Sequence, residues 1–348
     1  MVIEYQVVET VLTLPKIGIT GSFGRGNVGD ELFVRAHQNY FRDQAELFLV
    51  TQLPHQHYFS EFANTLIDSL DGIAIGGGDL ICPYREKMDQ DFSNPKYLRK
   101  PVHMVGIGVE NNKDEEIERT MEVWKNFLNH SNMKSITVRD PASQKWLKKK
   151  MFKRLLGSRK VPCHPDIALS LTLPEVEKPE DRPILGIVTR SITHPKDMLE
   201  AKNAALYLQS QGWRVRHIIF GVGRHGSEEH EKSHRLELDE KETIYTQDID
   251  TVLRAVGECS LVLSMKLHSS IVATMYDVPC VVLSRSIKMK QFMQAINRPD
   301  FCISPDNDQL VDMIKDGIPA VDTDHVNGMK KEATSAMQSF VKRVLSTA

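Results

Sequence analysis

The chain has 348 residues, of which 41% are hydrophobic and 26% are charged, and its formal net charge at neutral pH is −2. This composition is typical of a globular protein, and the length predicts two domains because single cores seldom grow so large. The near-neutral charge gives no sign of a nucleic-acid partner. Every apolar run is shorter than the roughly 20 residues that span a bilayer, and the first residues lack a signal-peptide pattern. We therefore expect a cytoplasmic protein.

The cysteines indicate free, mostly buried thiols. They are Cys82, Cys163, Cys259, Cys280 and Cys302. Their odd number and wide spacing match neither a disulfide framework nor a zinc site. We expect no bound metal.

A glycine-rich turn, residues 21–31, follows the first predicted strand and opens a helix. Glycines permit tight turns and let a ligand approach the backbone closely. Asn27, Gly29 and Asp30 are therefore candidate cleft residues, with a purely structural turn as an equal alternative. The glycine spacing also matches a dinucleotide-binding loop, but the next predicted strand, residues 47–51, is not followed by the acidic residue that would bind a ribose.

Three consecutive glycines follow the predicted strand at residues 72–75. Gly76, Gly77, Gly78 and Asp79 would lie at the carboxyl edge of a parallel sheet, where open α/β folds bind ligands. We expect this segment to be a loop that forms the floor of a cleft.

Arg139 follows another predicted strand, residues 135–138, and precedes a helix that Asp140 caps and Pro141 begins. This position predicts that its guanidinium lies over the edge of the sheet. The alternative is a surface ion pair between Arg139 and Asp140.

Residues 145–160 combine many lysines and arginines with interspersed apolar side chains. Such a helix can lie on an anionic membrane surface, which would give peripheral contact at the inner face of a membrane. The favoured alternative is an ordinary helix with a buried apolar face and solvated lysines.

A segment rich in proline and charge, residues 172–183, is typical of a linker. We expect an N-terminal Rossmann-like domain at residues 1–173 on the acceptor side of the site, followed by a linker at 174–183. A C-terminal Rossmann-like domain at 184–348 would form the donor side and end in a helix. Arg190, at the end of the first strand of the second domain, is a further candidate cleft residue. Two α/β domains that face one cleft correspond to a GT-B-like fold.

The stretch from residue 261 to residue 283 predicts a strand, a turn, a helix and a second strand. Its turn contains Lys266, Leu267, His268, Ser269 and Ser270. Free N–H groups and the helix dipole favour an anion at such a helix start, next to a cation and an imidazole. The turn is therefore the best candidate for a catalytic site. In the structural alternative, Ser269 caps the helix and His268 is a hydrogen-bonded core residue.

Several motifs, in this order, resemble those of the polysaccharide pyruvyl transferase family over about residues 17–296. They are GNVGDE at 26–31, GGG at 76–78, GIG at 106–108, VRD at 138–140, Asp166, and SMKLHS at 264–269. The resemblance implies transfer of the enolpyruvyl group of phosphoenolpyruvate to hydroxyls of a cell-surface glycan or its precursor, with closure of a pyruvate ketal. It also implies that Arg139 and Lys266 bind the donor, that His268 is catalytic, and that Lys288 belongs to the donor site.

The sequence departs from the family pattern in two places. Lys266 stands where arginine is more frequent, which keeps the charge but loses the bidentate fit to a carboxylate or phosphate. Arg285 and Ser286 stand where a tyrosine–aspartate pair is common. Both departures bear on donor choice and activity.

The residues suit this chemistry independently. A donor with a carboxylate and a phosphate needs cations and helix starts, and the imidazole of His268 is a side chain that can donate and accept protons. Phosphoenolpyruvate would be a co-substrate rather than a cofactor, and a sugar or a lipid-linked oligosaccharide would be the acceptor. One alternative is a GT-B glycosyltransferase that uses a nucleotide sugar. The other is a catalytically silent glycan-binding or scaffold protein.

Overall fold

The computed structural model describes residues 13–50, 60–85, 92–110, 115–152, 160–190 and 194–348. In these ranges the chain forms two parallel β-sheets with helices between consecutive strands. The predicted α/β class with two Rossmann-like halves is therefore confirmed.

The first sheet has five strands in the order β2-β1-β3-β4-β5. The strands are β1 (Lys16–Thr20), β2 (Glu46–Leu49), β3 (Gly72–Ile81), β4 (Val102–Val109) and β5 (Met133–Val138). The helices of this half are α1 (Val28–Phe41), α2 (Ser60–Ser69), α3 (Glu118–Leu128) and α4 (Pro141–Lys150). All neighbouring strands pair in parallel, so their carboxyl ends share one edge. Every residue of β4 is buried, as expected for a central strand of a parallel sheet.

The second sheet has six strands in the order β11-β10-β9-β6-β7-β8. The strands are β6 (Ile184–Val188), β7 (Arg214–Ile218), β8 (Glu242–Ile244), β9 (Leu261–Ser264), β10 (Cys280–Leu283) and β11 (Cys302–Ile303). The helices are α5 (Leu199–Ser210), α6 (Gly223–Glu231), α7 (Ile249–Gly257), α8 (Leu267–Met275), α9 (Ile287–Ala295), α10 (Leu310–Asp316) and α11 (Thr323–Leu345). The predicted unit at residues 261–283 corresponds to β9, α8 and β10.

The closing helix α11 returns to the first sheet. Its Phe340 ring lies 6.2 Å from that of Phe41 and 5.9 Å from that of His37, measured between ring centroids. Just beyond the helix, the Thr347 hydroxyl lies 2.9 Å from the Nε2 atom of His103 on β4. The sequence assigned this helix to the C-terminal domain, but its buried face covers the N-terminal sheet. The proposed boundaries at residues 173 and 184 stay a prediction.

The three glycines lie inside a strand, so their prediction as a loop is wrong. Strand β3 runs through them, with Gly78 paired to Ile107, and continues its pairing with β4 at Asp79 and Gly108. At Gly76 the φ angle is +137°, and an added Cβ atom would lie 2.0 Å from the carbonyl oxygen of Val105. Only glycine fits there, because the neighbouring strand comes so close. The end of the predicted strand at residues 47–51 lies outside the described residues.

The basic segment at residues 145–160 is only partly described, since residues 153–159 lie outside the described ranges. Met151 and Phe152 are 5% and 7% exposed and belong to the core of the first half, so they cannot contact a membrane. Lys148 and Lys149 are exposed. Peripheral membrane contact stays a prediction that rests on basic side chains alone. In the described ranges no helix has both the length and the apolar character needed to cross a bilayer.

Candidate active site

The carboxyl edges of the two sheets enclose a cleft of about 280 Å³. The first half contributes the predicted residues Asn27, Asp30, Gly78, Asp79 and Arg139. The second half contributes the predicted residues Arg190, Lys266, Leu267, His268 and Lys288. Residues about 260 positions apart in the sequence therefore meet in one place, as the parallel topology requires.

Five predicted site residues do not line this cleft. They are Gly29, Gly76, Gly77, Ser269 and Ser270. The first three pack against neighbouring backbone or rings, since a Cβ atom at Gly77 would lie 3.0 Å from the Phe33 ring. The two serines are fully buried in the turn.

The serine hydroxyls shape the turn that presents Lys266 and His268. The hydroxyls of Ser269 and Ser270 donate to the carbonyl oxygen of Lys266 at 2.9 and 3.0 Å. Ser264 adds a 2.6 Å hydrogen bond to Ser269. Lys266 itself occupies the N-cap position of α8, so Ser269 does not cap the helix. The serines therefore position the site and leave its walls to other side chains.

The His268 ring is held by the start of α1. It meets the Phe33 ring edge-on, with centroids 5.0 Å apart and an interplanar angle of 80°. A Cβ atom at Gly29 would lie 2.1 Å from His268 Nδ1, which explains why the GNVGDE segment has glycine there. The other nitrogen, Nε2, lies 3.7 Å from Asp166 Oδ2 and has no hydrogen-bond partner among the described residues. That distance suits an ion pair but exceeds a hydrogen bond.

Arg139 is clamped between two aspartates. Its Nη1 atom donates to Asp166 Oδ2 at 3.0 Å, Nη2 pairs with Asp79, and the side chain is only 5% exposed. Burial opposes the charge of the guanidinium, but the two carboxylates outweigh burial and raise the pKa of Arg139 above its usual range. Asp140 instead caps α4, where it accepts from the Ser143 N–H at 2.7 Å. The cap was predicted correctly, and the alternative of an Arg139–Asp140 surface pair is wrong.

Asp79 joins the two halves across the cleft. Its second carboxylate oxygen accepts a hydrogen bond of 2.8 Å from Lys288 Nζ, at the start of α9. Burial would raise the pKa of Asp79, but Arg139 and Lys288 reverse that effect and lower the pKa well below its usual value. A Cβ atom at Gly108 would lie 2.0 Å from Asp79 Oδ1, so glycine on β4 is required for this arrangement.

Among the described residues, Lys266 pairs with one carboxylate, that of Glu229. Its Nζ atom lies 2.6 Å from Glu229 Oε1 and donates to the Phe220 carbonyl at 2.9 Å, with 10% of the side chain exposed. His225 Nε2 is 3.3 Å from the same Glu229 carboxylate. Burial lowers the pKa of Lys266, although Glu229 acts in the opposite direction.

Two more carboxylates bracket His268. Burial raises the pKa of Asp30, against the opposing effects of His268 and of a 2.9 Å hydrogen bond from the Asn27 amide. Burial also tends to raise the pKa of Asp166, but His268 and Arg139 lower the pKa to about 2. The pKa values of the two carboxyls are thus shifted in opposite directions.

The accessible positive charge lies on the second half of the cleft. The Lys288 side chain is 42% exposed, although it pairs with Asp79. Arg190 is exposed and forms no ion pair with any described residue. These two cations are the ones that an incoming anion can reach most easily.

Sequence reasoning did not assign site roles to Glu229, Asp166 or Phe33. Asp166 was visible as part of a motif, and the i, i+4 spacing of His225 and Glu229 on a polar helix could have indicated a shared face. Phe33 gave no signal, because its role depends on how α1 docks onto α8. Within the described ranges, no group of histidine, cysteine and acidic side chains could hold a metal ion.

The two parallel sheets and the cleft between their carboxyl edges define a GT-B fold, as solved structures confirm. HepE from Anabaena, in complex with UDP-glucose, has a TM-score of 0.55 at 14% identity, covering 97% of this chain and 100% of that chain. A putative UDP-N-acetylglucosamine 2-epimerase from Listeria monocytogenes has a TM-score of 0.55 at 11% identity, covering 95% and 94%. A UDP-GlcNAc 2-epimerase from Methanocaldococcus jannaschii gives 0.54 at 11%, covering 97% and 100%. At these identities the likeness establishes the fold alone.

The chain belongs to the polysaccharide pyruvyl transferase family, whose sequence profile matches residues 27–287. It is therefore a transferase, and the family implies a sugar acceptor. The match includes the cleft residues from Asn27 to His268 and stops just before Lys288. No curated protein sequence shows significant similarity to the chain.

Proposed function

We propose that the protein transfers the enolpyruvyl group of phosphoenolpyruvate to two hydroxyls of a sugar, closing a pyruvate ketal and releasing phosphate. The observation that carries this proposal is the placement of His268 in one cleft with Lys288, Arg190 and two buried cations. The buried Nε2 atom of His268 has no hydrogen-bond partner among the described residues. Family membership supports the proposal.

The donor's two anionic groups need separate cations. Lys288 and Arg190 are accessible from the cleft, and a donor oxygen can take the place that Asp79 occupies on Lys288. Arg139 and Lys266 lie behind them as buried positive charges whose carboxylate partners keep them in place. We assign all four to the donor side, with Lys288 and Arg190 in direct contact.

The first step adds an acceptor hydroxyl to C2 of the donor. The oxygen bonds to C2 and the electron pair of the C2–C3 double bond takes a proton at C3, which turns the methylene into a methyl group. His268 donates this proton, and Asp30 accepts the hydroxyl proton because its raised pKa makes it a better base than an ordinary carboxylate.

The second step closes the ring. The bond between C2 and the phosphate oxygen breaks, the electron pair leaves with the phosphate, and C2 becomes an oxocarbenium centre. A second hydroxyl of the same sugar bonds to C2 and gives up its proton to the leaving phosphate. The sum is one sugar diol and one phosphoenolpyruvate converted to one ketal and one phosphate.

A nucleotide sugar is the competing donor, so thermal unfolding should be compared with phosphoenolpyruvate, UDP-glucose and a CMP-sugar. A ligand that binds the folded state raises the midpoint. We expect phosphoenolpyruvate, but neither nucleotide sugar, to raise the midpoint of thermal unfolding. Adding a sugar acceptor to the phosphoenolpyruvate complex should then release phosphate. A rise with UDP-glucose or the CMP-sugar alone would favour a glycosyltransferase, and no rise with any of the three would favour a silent scaffold.

A further inference from the structure

A second hollow, of about 330 Å³, lies next to the cleft and has different chemistry. The cleft and the second hollow share the side chains of Asp79, Glu110 and Lys288 as walls. The second is otherwise formed by the first two turns of α4 and by the start of α9. A molecule bound there would lie next to the proposed donor.

This hollow offers neutral polar groups that the fold does not use. Ser286 occupies the N-cap position of α9, but its side chain does not cap the helix. Gln291 is half-buried, and its amide forms no hydrogen bond with any described residue. By contrast, the charged Arg285 at the rim is tied to Asp197 at 3.1 Å and to Asp306 at 3.0 Å. Apart from Lys288, which the hollow shares with the cleft, the groups left for a ligand are therefore ones that recognise hydroxyls.

An indole ring supplies an apolar wall. Trp146 is half-buried and lines the hollow, and its Nε1–H donates to Glu116 at 2.9 Å. The other oxygen of Glu116 accepts from Lys150 at 2.7 Å. Because one edge of the indole is anchored in this way, the ring is oriented before any ligand arrives, which reduces the entropy lost on binding.

We propose that this hollow is the acceptor subsite and binds the terminal hexose ring of the sugar substrate. Trp146 packs against the apolar face of the ring, and Gln291 and Ser286 hydrogen-bond its hydroxyls. An apolar aromatic wall with a few convergent polar groups is the common pattern of small-molecule sites, whose volumes run from about 300 to 1,000 Å³. At the low end of that range, the hollow suits a single ring better than a long glycan. This inference builds on the proposed function, because the shared walls bring a ring hydroxyl towards the donor.

The test uses the full chain and the methyl glycosides of glucose, galactose, mannose and N-acetylglucosamine. Binding of each glycoside is followed by saturation-transfer NMR, and binding of phosphoenolpyruvate by calorimetry. Trp146→Ala and Gln291→Ala should each weaken the best glycoside by about tenfold, equivalent to 1.4 kcal/mol, with unchanged phosphoenolpyruvate affinity. Trp146→Phe keeps an aromatic wall and should retain most of the binding.

Lys148→Ala, on the exposed face of the same helix, is the matched control and should change neither affinity. If Trp146→Ala fails to fold, Gln291→Ala still decides the question. The subsite would be overturned if neither Gln291→Ala nor Trp146→Ala changed glycoside binding. If Trp146→Ala does not fold, unchanged glycoside binding in Gln291→Ala would be enough to overturn it. So would wild-type protein that binds phosphoenolpyruvate but no glycoside, and the proposed function would then survive. A third outcome is that the wild type binds a glycoside but not phosphoenolpyruvate, and that the variants lose glycoside binding. This would support the subsite and reject phosphoenolpyruvate as the donor.

Discussion

The two edges of the cleft each bury one cation, but they balance its charge differently. On the first edge, formed by the N-terminal sheet, Arg139 is held by both Asp79 and Asp166. On the second edge, formed by the C-terminal sheet, Glu229 is the one carboxylate of the described part of the chain that pairs with Lys266. Among the described residues, the first cation therefore has two carboxylate partners and the second has one.

The side-chain chemistry fits this division. A planar guanidinium can bond two carboxylates at once in fixed directions, whereas an ammonium is a compact point charge. The second edge also contributes Lys288 and Arg190, the cations that a ligand can reach. The comparison indicates that the first edge is a rigid frame and that the second edge attracts the anionic donor.

The largest effect is expected where the two edges meet, at His268. The variant His268→Ala should fold and bind the donor but lose about 10²–10⁴-fold in turnover, because it removes the proposed proton donor. Phosphate release in the presence of a sugar acceptor measures the loss, and calorimetry with phosphoenolpyruvate verifies that the donor still binds. Turnover like that of the wild type would exclude an acid–base role for His268.

The two buried cations should differ in their contribution to stability. Arg139→Met removes the guanidinium from two buried carboxylates, of which Asp79 keeps a second cation, Lys288. The variant should therefore lose about 3–5 kcal/mol of unfolding free energy, the range for breaking buried ion pairs. Lys266→Met strands one carboxylate, which His225 still approaches at 3.3 Å, and should cost less. Urea unfolding of both variants gives the comparison. Equal losses, or a larger loss for Lys266→Met, would contradict the different roles of the two edges.

The sequence predicted which strand ends carry the chemistry, but not how their charges pair. Arg139, Lys266 and His268 follow strands of parallel sheets, so their convergence at one cleft follows from local patterns and topology. The partners of these residues are remote in sequence, since Glu229 is on another helix and Asp79 belongs to another strand. Such pairs depend on side-chain directions that only the folded chain fixes.

Local pattern also failed where tertiary packing overrode it. The glycines at 76–78 resemble a loop, yet the close approach of β4 makes glycine necessary within a strand. Trp146 lies in a basic segment for which the sequence favoured an ordinary helix, but nothing in the local pattern indicates that its indole is anchored to Glu116 beside the second hollow. In both cases the deciding contact comes from an element that is distant in the sequence.

A smaller effect is expected from the acid titration of Asp166 on the first edge. Its pKa is about 2 in the folded chain and lower than in the unfolded chain, so the ionised carboxylate contributes stability above about pH 4. That contribution, about 2 kcal/mol, is lost as the pH falls towards 2. The variant Asp166→Asn should therefore lose less unfolding free energy than the wild type between pH 5 and pH 3. Equal losses of unfolding free energy in the variant and in the wild type, measured by urea unfolding at the two pH values, would contradict this assignment.

The division of roles is tested most directly by calorimetric titration of phosphoenolpyruvate into Lys288→Ala, with Arg35→Ala as the control. Both variants remove an ion pair between the two halves, since Arg35 pairs with Asp250 away from the cleft. Of these two side chains, only Lys288 is expected to contact the donor. Lys288→Ala should therefore weaken phosphoenolpyruvate binding by about tenfold, while Arg35→Ala should bind like the wild type. Equal weakening in both variants would mean that contact between the halves, and not charge on the second edge, governs donor binding. Undiminished affinity in Lys288→Ala would contradict the donor site itself.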